Sequence, residues 1–334
     1  MADVRRGIDA LLVRFFESKV DEAALLSPRA VELVTEVRDL TMRGGKRLRP
    51  IVTAVAYRAA IGPGAADATF EVGAALELLQ SYLLVHDDWM DEDRERRGGP
   101  AVHYAFQKKH GDAHLGASLG VLAGDLASTF SWELFLRGRF PAARRNEANT
   151  LFLKIQKEVF AGQQLDLMTD ENVERMHDLK TGSYTTRGPA ELGALLADAD
   201  RDALEALRAW SAPLGIAFQL RDDLLSTFGS AVETGKPGDD LLHGKHNAVV
   251  AAFRQSAPSA AEVAKLDAVW GCSNAASDAI EAAMEALAGA RAEVEARLSV
   301  LAERATSALA AAPFDAEAKE MLEEVTRRLT ERGH

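Results

Sequence analysis

Apolar residues recur at intervals of three and four along most of the chain, and the alternation that marks strands is nearly absent. Ala and Leu are plentiful and Gly/Pro punctuation is sparse, which is a composition of strong helix formers. This predicts an all-α fold of roughly a dozen or more helices. No stretch has the composition of a linker, so the 334 residues are expected to form one domain spanning 1–334 with a large buried core.

The densest chemistry lies between Gln80 and Pro100, QSYLLVHDDWMDEDRERRGGP. Asp87, Asp88, Asp91, Glu92 and Asp93 crowd together, Arg94, Arg96 and Arg97 follow, and Gly98, Gly99 and Pro100 stop the element. The preceding EVGAALELLQSYLLV is apolar and unbroken, so the acids end a mostly buried helix. At about 100° per residue, Gln80, Leu84, Asp87 and Asp91 fall on one stripe. Like charges one turn apart destabilise a helix by a few tenths of a kcal/mol, so the stripe makes sense if a cation neutralises it. Carboxylates without His or Cys favour a hard ion such as Mg2+, which keeps waters and binds substrate phosphates. A solvated acidic helix end is the plain alternative.

Composition narrows the partners. With 39 Lys and Arg against 51 Asp and Glu, the net charge of −12 argues against nucleic acid or an anionic membrane surface. A polyanionic substrate would have to be held by local basic residues or by bridging metal. Cys272 is the one cysteine, so no intramolecular disulfide or thiolate cluster can form. The start is a poor signal peptide and no run of about 18 apolar residues appears, so a soluble, cytoplasmic protein without a membrane span is expected.

Taken in order, residues 5–20 and 29–42 read as amphipathic helices separated by a loop ending in Ser27-Pro28. MRGGKRLRP follows, with Pro50 suited to the first turn of the next helix. Lys46, Arg47 and Arg49 thus sit at a helix N-terminus, which favours an anion, unless they form a solvated basic loop. A helix near 113–137 carries Gly116, Ala117, Gly120, Ala123 and Gly124, expected at a close helix–helix approach, and Asp125, expected to be a satisfied polar group. A helix over 141–168 ends in AGQQLDLM, where Gln163 and Asp166 are either a structural polar pair or part of a site. In LKTGSYTTRGP, Lys180 and Thr181 are expected at a helix end with Gly182 as its cap. Residues 201–228 repeat the first acidic helix: an apolar run reaches Gln219, Asp222 and Asp223, with Ser226 and Ser230 on the same stripe. VETGKPGDDLLHGKHN is a charged loop with Lys236, Asp239, Asp240 and Lys245. Ile280, Met284, Leu287, Val294, Leu298 and Leu301 then keep near-heptad spacing through one long helix, and the tail is a last amphipathic helix.

Two carboxylate clusters with separated basic groups suggest a cavity that handles a diphosphate. No Walker loop and no GxGxxG is present. Carboxylate-held Mg2+ on a diphosphate favours C–O cleavage with departure of pyrophosphate, and apolar helices around it suit a greasy substrate and keep water from a cation.

These residues strongly resemble the trans-isoprenyl diphosphate synthases, the polyprenyl synthetase family. GGKRLRP, HDDWMDEDRERRG, GQQLDL, KTGSYT, FQLRDD and DDLLHGK follow the family's order and approximate spacing over most of the chain. The resemblance implies the all-α prenyl-synthase fold around a central cavity, a homodimer, and three Mg2+ ions. It implies that Asp87 and Asp91 ligate two of the ions on the allylic diphosphate and Asp222 the third, with Asp88 and Asp223 in support. Arg96, Lys180, Lys236 and Lys245 would hold the allylic diphosphate; Lys46, Arg49, Gln80 and Arg97 would hold isopentenyl diphosphate. Lys180, Thr181 and Gln219 would face the allylic cation.

Two departures stand out. The second motif reads DDLLS, with Ser226 where the family has Asp, and His246-Asn247 stand where a basic residue and Thr are usual. Asp222 and Ser226 fit the pattern of class I terpene cyclases, but Ser230 occupies the Glu position, and a cyclase has no use for the isopentenyl pocket. A non-catalytic subunit of a heteromeric synthase would lose Asp ligands or RRG, and both remain here. Tyr82 and Leu83, at the fifth and fourth positions before the first motif, resemble the geranylgeranyl pattern, with farnesyl diphosphate the next product to consider. Tyr82 is then the floor of the product tunnel, unless it is merely a core aromatic. Tyr82→Ala is expected to lengthen the product, as read by chromatography of the dephosphorylated alcohols; an unchanged distribution contradicts that role.

Overall fold

The structure, a computed structural model, describes residues 1–62, 64, 66–169, 172–229 and 239–331. Among them, regular structure is helical except for one hairpin of two-residue strands. The chain forms two compact units, Met1–Ala148 with Pro189–Ala199, and Asn149–Gly188 with Asp200–His334.

In the first unit, α1 (Ala2–Leu26) and α2 (Pro28–Met42) are separated only by Ser27. The expected loop shrinks to one residue because the Ser27 side chain accepts the Arg29 N–H at 3.1 Å and Pro28 opens α2. The next helix, α3 (Leu48–Ile61), starts before Pro50, which the first turn tolerates because its missing N–H has no intrahelical partner to lose. The acidic helix is α4 (Phe70–Met90), followed by strands β1 (Glu95–Arg96) and β2 (Gly99–Pro100), α5 (Val102–His110) and α6 (Ala113–Leu136). Gly116 and Gly120 of α6 lie against Gln107 and His103 of α5, and Gly124 lies under the His86 ring of α4, so the small residues do mark close approach. Asp125 is 64% exposed at its side chain and lies 3.9 Å from His86 Nε2. By length and composition Asp67–Met90 could cross a membrane, yet it is a core helix, packed on α1, α3, α5 and α6.

The second unit holds α7 (Arg145–Leu167) from Asn149 onward, α8 (Val173–His177), α10 (Arg201–Phe228) and helices at Asp239–Leu242, Ala248–Gln255, Ala260–Asp267, Ser277–Ala286, Ala288–Ala310 and Ala316–Thr330; α9 (Gly188–Leu196) leads back to the first unit. The bounds of α10 are those read from sequence, set by the Asp200 carboxylate accepting the Ala203 N–H at 2.8 Å and by Gly229. Its fully buried Trp210 donates through Nε1 to Thr326 Oγ1 at 3.0 Å, tying it to the last helix. The predicted long C-terminal helix is broken at Leu287, which is fully buried and ends Ser277–Ala286 before Ala288–Ala310 begins. The heptad stripe therefore continues across two helices, because one buried leucine serves both.

A second correction concerns Lys180–Gly182. No helix ends there: Asp178–Arg187 is a π-helix running from α8 into α9, and the Gly188 N–H bonds to Ser183 O. Gly182 is not a cap but a contact, since a Cβ on Gly215 of α10 would lie 2.3 Å from the Gly182 Cα. Gly215→Ala is expected to cost about 1–3 kcal/mol in urea unfolding, because backbone must shift to admit the methyl; an unchanged midpoint would contradict so tight a crossing.

Candidate active site

In the first unit the site is built on the end of α4. Gln80, Tyr82, Leu83, Leu84 and Asp87 are half-buried on the helix, and Asp91 caps it with its N–H on Asp87 O. Asp88, by contrast, is 0% exposed. Burial pushes its carboxyl up to about 6, with Asp87 and Asp93 adding to the rise while Arg96 opposes it. The Arg96 guanidinium donates to Asp88 Oδ1 at 2.5 Å and to Asp93 Oδ2 at 3.0 Å, and lies 3.9 Å from Asp87.

Arg96 is delivered by the hairpin of β1 and β2. Arg97 (φ 54°) and Gly98 (φ 71°) form its two-residue connection, the left-handed pair that a type I′ turn requires. An arginine there holds a conformation that costs about 1–2 kcal/mol. Its guanidinium donates to Gly44 O at 3.0 Å and lies 3.6 Å from where a Cβ on Gly45 would stand. Arg43 clasps the same hairpin, donating to Pro100 O at 2.8 Å and Arg96 O at 3.2 Å. GGKRLRP and RRG are thus one interlocked structure. Lys46 stands exposed on it and Arg49 is buried in the first turn of α3. Burial lowers the Arg97 pKa, and the neighbouring charges of Arg47, Arg49 and Arg96 lower it further against the pull of Glu77. This is a concentration of positive charge that a polyanion would relieve.

Sequence reasoning missed Arg43 and Glu77, and it grouped Arg47 with the anion-favouring cations where the structure buries it in an ion pair. Arg47 precedes α3 at φ 49°, donating to Glu77 Oε2 at 2.7 Å, Asp9 Oδ1 at 2.9 Å and Thr41 O at 3.1 Å. Only the lone Glu77 inside the apolar run of α4 could have signalled a buried ion pair.

In the second unit, Gly162 of α7 meets the backbone of Lys180, with a Cβ there only 2.2 Å from Lys180 N. The Lys180 ammonium reaches Asp166 Oδ2 at 2.5 Å, so GQQLDL and KTGSYT also form one structure, and Gln163 is half-buried. Thr181 donates to Gln219 Oε1 at 2.9 Å, and Gln219 donates to Asp223 Oδ1 at 2.9 Å. Asp222 is half-buried and Asp223 is buried, accepting the Ala248 N–H at 2.8 Å. Asn247, in place of the usual Thr, caps the helix that starts at Ala248 and donates to Thr227 and Asp240, each at 2.9 Å. Lys245 stands exposed, while Lys236 and Ser230 lie outside the described residues.

Among the described residues no group of three His, Cys, Asp or Glu side chains forms a metal cage. Mg2+ does not require one, since it takes one or two carboxylates and completes its shell with water and substrate phosphate. The donor chemistry at Asp87, Asp88 and Asp91 is all hard oxygen, and Asp88 Oδ2 is a buried acceptor with no hydrogen-bond partner. The residues fit such an ion.

The family described as polyprenyl synthetase matches residues 31–287, and the chain belongs to that family. It is 31% identical over 226 residues to a short chain isoprenyl diphosphate synthase of Methanocaldococcus jannaschii, a match covering 66% of this chain and 65% of that protein. It is 36% identical over 217 residues to a farnesyl diphosphate synthase of Bacillus subtilis, covering 60% and 69% respectively. The fold is that of a geranylgeranyl pyrophosphate synthase from Corynebacterium glutamicum crystallised with isoprenyl diphosphate and magnesium, with a TM-score of 0.91, 29% identity and 99% of each chain covered.

Arg47→Ala leaves Glu77 buried without its partner and is expected to cost about 3–5 kcal/mol in chemical denaturation, with Glu77→Gln in the same chain recovering much of it. A loss below about 1 kcal/mol would show that the pair does not hold the motif.

Proposed function

We infer that this protein is a Mg2+-dependent trans-prenyltransferase that joins isopentenyl diphosphate to an allylic diphosphate and releases pyrophosphate. The observation that carries the proposal is the interlock of hairpin and loop. It sets Arg97 beside Arg49 while the adjacent Arg96 reaches Asp88. A synthase needs an anion site of this kind next to its carboxylates for a second, non-allylic diphosphate; a terpene cyclase does not.

In this scheme Lys46, Arg49, Gln80 and Arg97 bind isopentenyl diphosphate. Asp87, Asp91 and Asp222 would hold three Mg2+ ions, with Asp88 and Asp223 in support, and Arg96, Lys180, Lys236 and Lys245 would hold the allylic diphosphate. The bound ions supply neutralisation of the diphosphate, which favours its departure. Arg96, turning from Asp88 and Asp93, and Lys180, turning from Asp166, take up the diphosphate oxygens and keep the leaving group in place. Thr181 and Gln219 present oxygen dipoles to the allylic cation. The isopentenyl double bond attacks that cation, forming the new C–C bond, and the proton then lost passes to the released pyrophosphate.

In this scheme Tyr82, whose ring is set edge-on to His86 at 4.9 Å, would close the product pocket. Geranylgeranyl diphosphate is the proposed product and farnesyl diphosphate the next candidate. The match to one family across residues 31–287, which includes parts of both compact units, supports treating 1–334 as one catalytic domain. A cytoplasmic homodimer is the proposed working form.

Arg97→Ala removes a charge-assisted contact and is expected to raise the KM for isopentenyl diphosphate by about tenfold or more, with the KM for the allylic substrate changed less than about twofold. An equal rise in both constants would overturn the division between the two diphosphate sites.

A further inference from the structure

His177, which the scheme above does not use, is 3% exposed in α8, and Asp223 beside it is 4% exposed. The imidazole Nε2 lies 3.3 Å from Asp223 Oδ2, the oxygen that also accepts the Ala248 N–H at 2.8 Å. Asp223 Oδ1 is left for the Gln219 amide at 2.9 Å, and Gln219 Oε1 accepts the Thr181 hydroxyl at 2.9 Å.

An ionised carboxylate only accepts hydrogen bonds, so this chain of contacts has one direction. Gln219 must turn its NH2 toward Asp223 and its oxygen toward Thr181. Thr181 must then donate its hydrogen to Gln219, which leaves the hydroxyl lone pairs for a cation. A flipped amide would set oxygen against carboxylate and spend its N–H on a Thr181 lone pair, turning the hydroxyl hydrogen outward. The Ala248 N–H holds Oδ2, and a proton on His177 Nε2, 3.3 Å away, would give that oxygen a second donor and stop the carboxylate from rotating; with Ala248 alone it could turn. His177 Nδ1 is buried with no hydrogen-bond partner, as the Nε2–H form of a neutral ring leaves it.

We propose that His177 is a positioning residue: through Asp223 it fixes the orientation of the Gln219 amide, and thereby makes Thr181 present lone pairs rather than a hydrogen. The functional meaning rests on the prenyltransferase scheme; the hydrogen-bond order does not.

Two measurements separate these. In 1H–15N spectra of the substrate-free wild-type protein, the His177 ring proton is expected on Nε2 and protected from exchange with solvent. A proton on Nδ1 alone, or an unprotected Nε2–H, overturns the proposal whether or not the protein elongates prenyl chains. In kinetics, His177→Phe is expected to lower kcat by about 10-fold or more with the KM for isopentenyl diphosphate within about twofold, while His177→Gln, which keeps a donor, returns to within about threefold of wild type. Equal loss in both variants, or wild-type kcat in His177→Phe, overturns it. If His177→Phe does not fold, the Gln variant and the spectrum decide: a kcat for His177→Gln more than about threefold below wild type counts against the proposal. A wild-type protein with a protected Nε2–H and no elongation instead refutes the prenyltransferase scheme and leaves the hydrogen-bond order standing.

Discussion

A carboxylate buried at the end of an apolar helix must find a counter-charge, and Asp88 finds Arg96. Much of the first unit's chemistry depends on that pairing. Arg96 reaches Asp88 from a tight hairpin, the hairpin's two-residue turn holds Arg97 in the left-handed region, and Arg97 and Arg43 tie it to the loop before α3. The loop in turn is anchored beneath by the buried Arg47–Glu77 pair. A chain of charge compensation, starting from one carboxylate, gathers the arginines of two separate sequence motifs.

The two aspartate pairs look alike in sequence but are held differently. Asp88 is met by a guanidinium in an ion pair, and burial still raises its carboxyl. Asp223 is met by a backbone N–H at a helix start, a glutamine amide and a buried imidazole. Asn247 completes the second arrangement by capping the helix that supplies the N–H, which gives its departure from the family pattern a structural role. Ion pairing suits a side chain that gives up its partner when an anion arrives. Neutral donors suit a carboxylate that is to stay in place.

The carboxylate stripe, the bounds of α10 and the close packing of α6 were legible in the sequence because each rests on local rules: helical periodicity, an N-cap with a glycine stop, and small residues at a crossing. The π-helix at Asp178–Arg187 was not, because Lys180-Thr181-Gly182 carries the same local signal as a capped helix end, and only the approach of Gly215 shows why the helix continues. The break at Leu287 was hidden for a related reason: its buried side chain satisfies the heptad on both sides. His177 and the pairing of Arg47 escaped notice because the partners, Asp223 and Glu77, are 46 and 30 positions away, a separation that periodicity does not span.

The most direct measurement is incubation of the purified protein with Mg2+, radiolabelled isopentenyl diphosphate and, separately, dimethylallyl, geranyl or farnesyl diphosphate, with the dephosphorylated products resolved by chromatography. Label carried into linear all-trans alcohols ending at the twenty-carbon member is the predicted result. Hydrocarbon formed from a prenyl diphosphate alone, with no label incorporated, would contradict it.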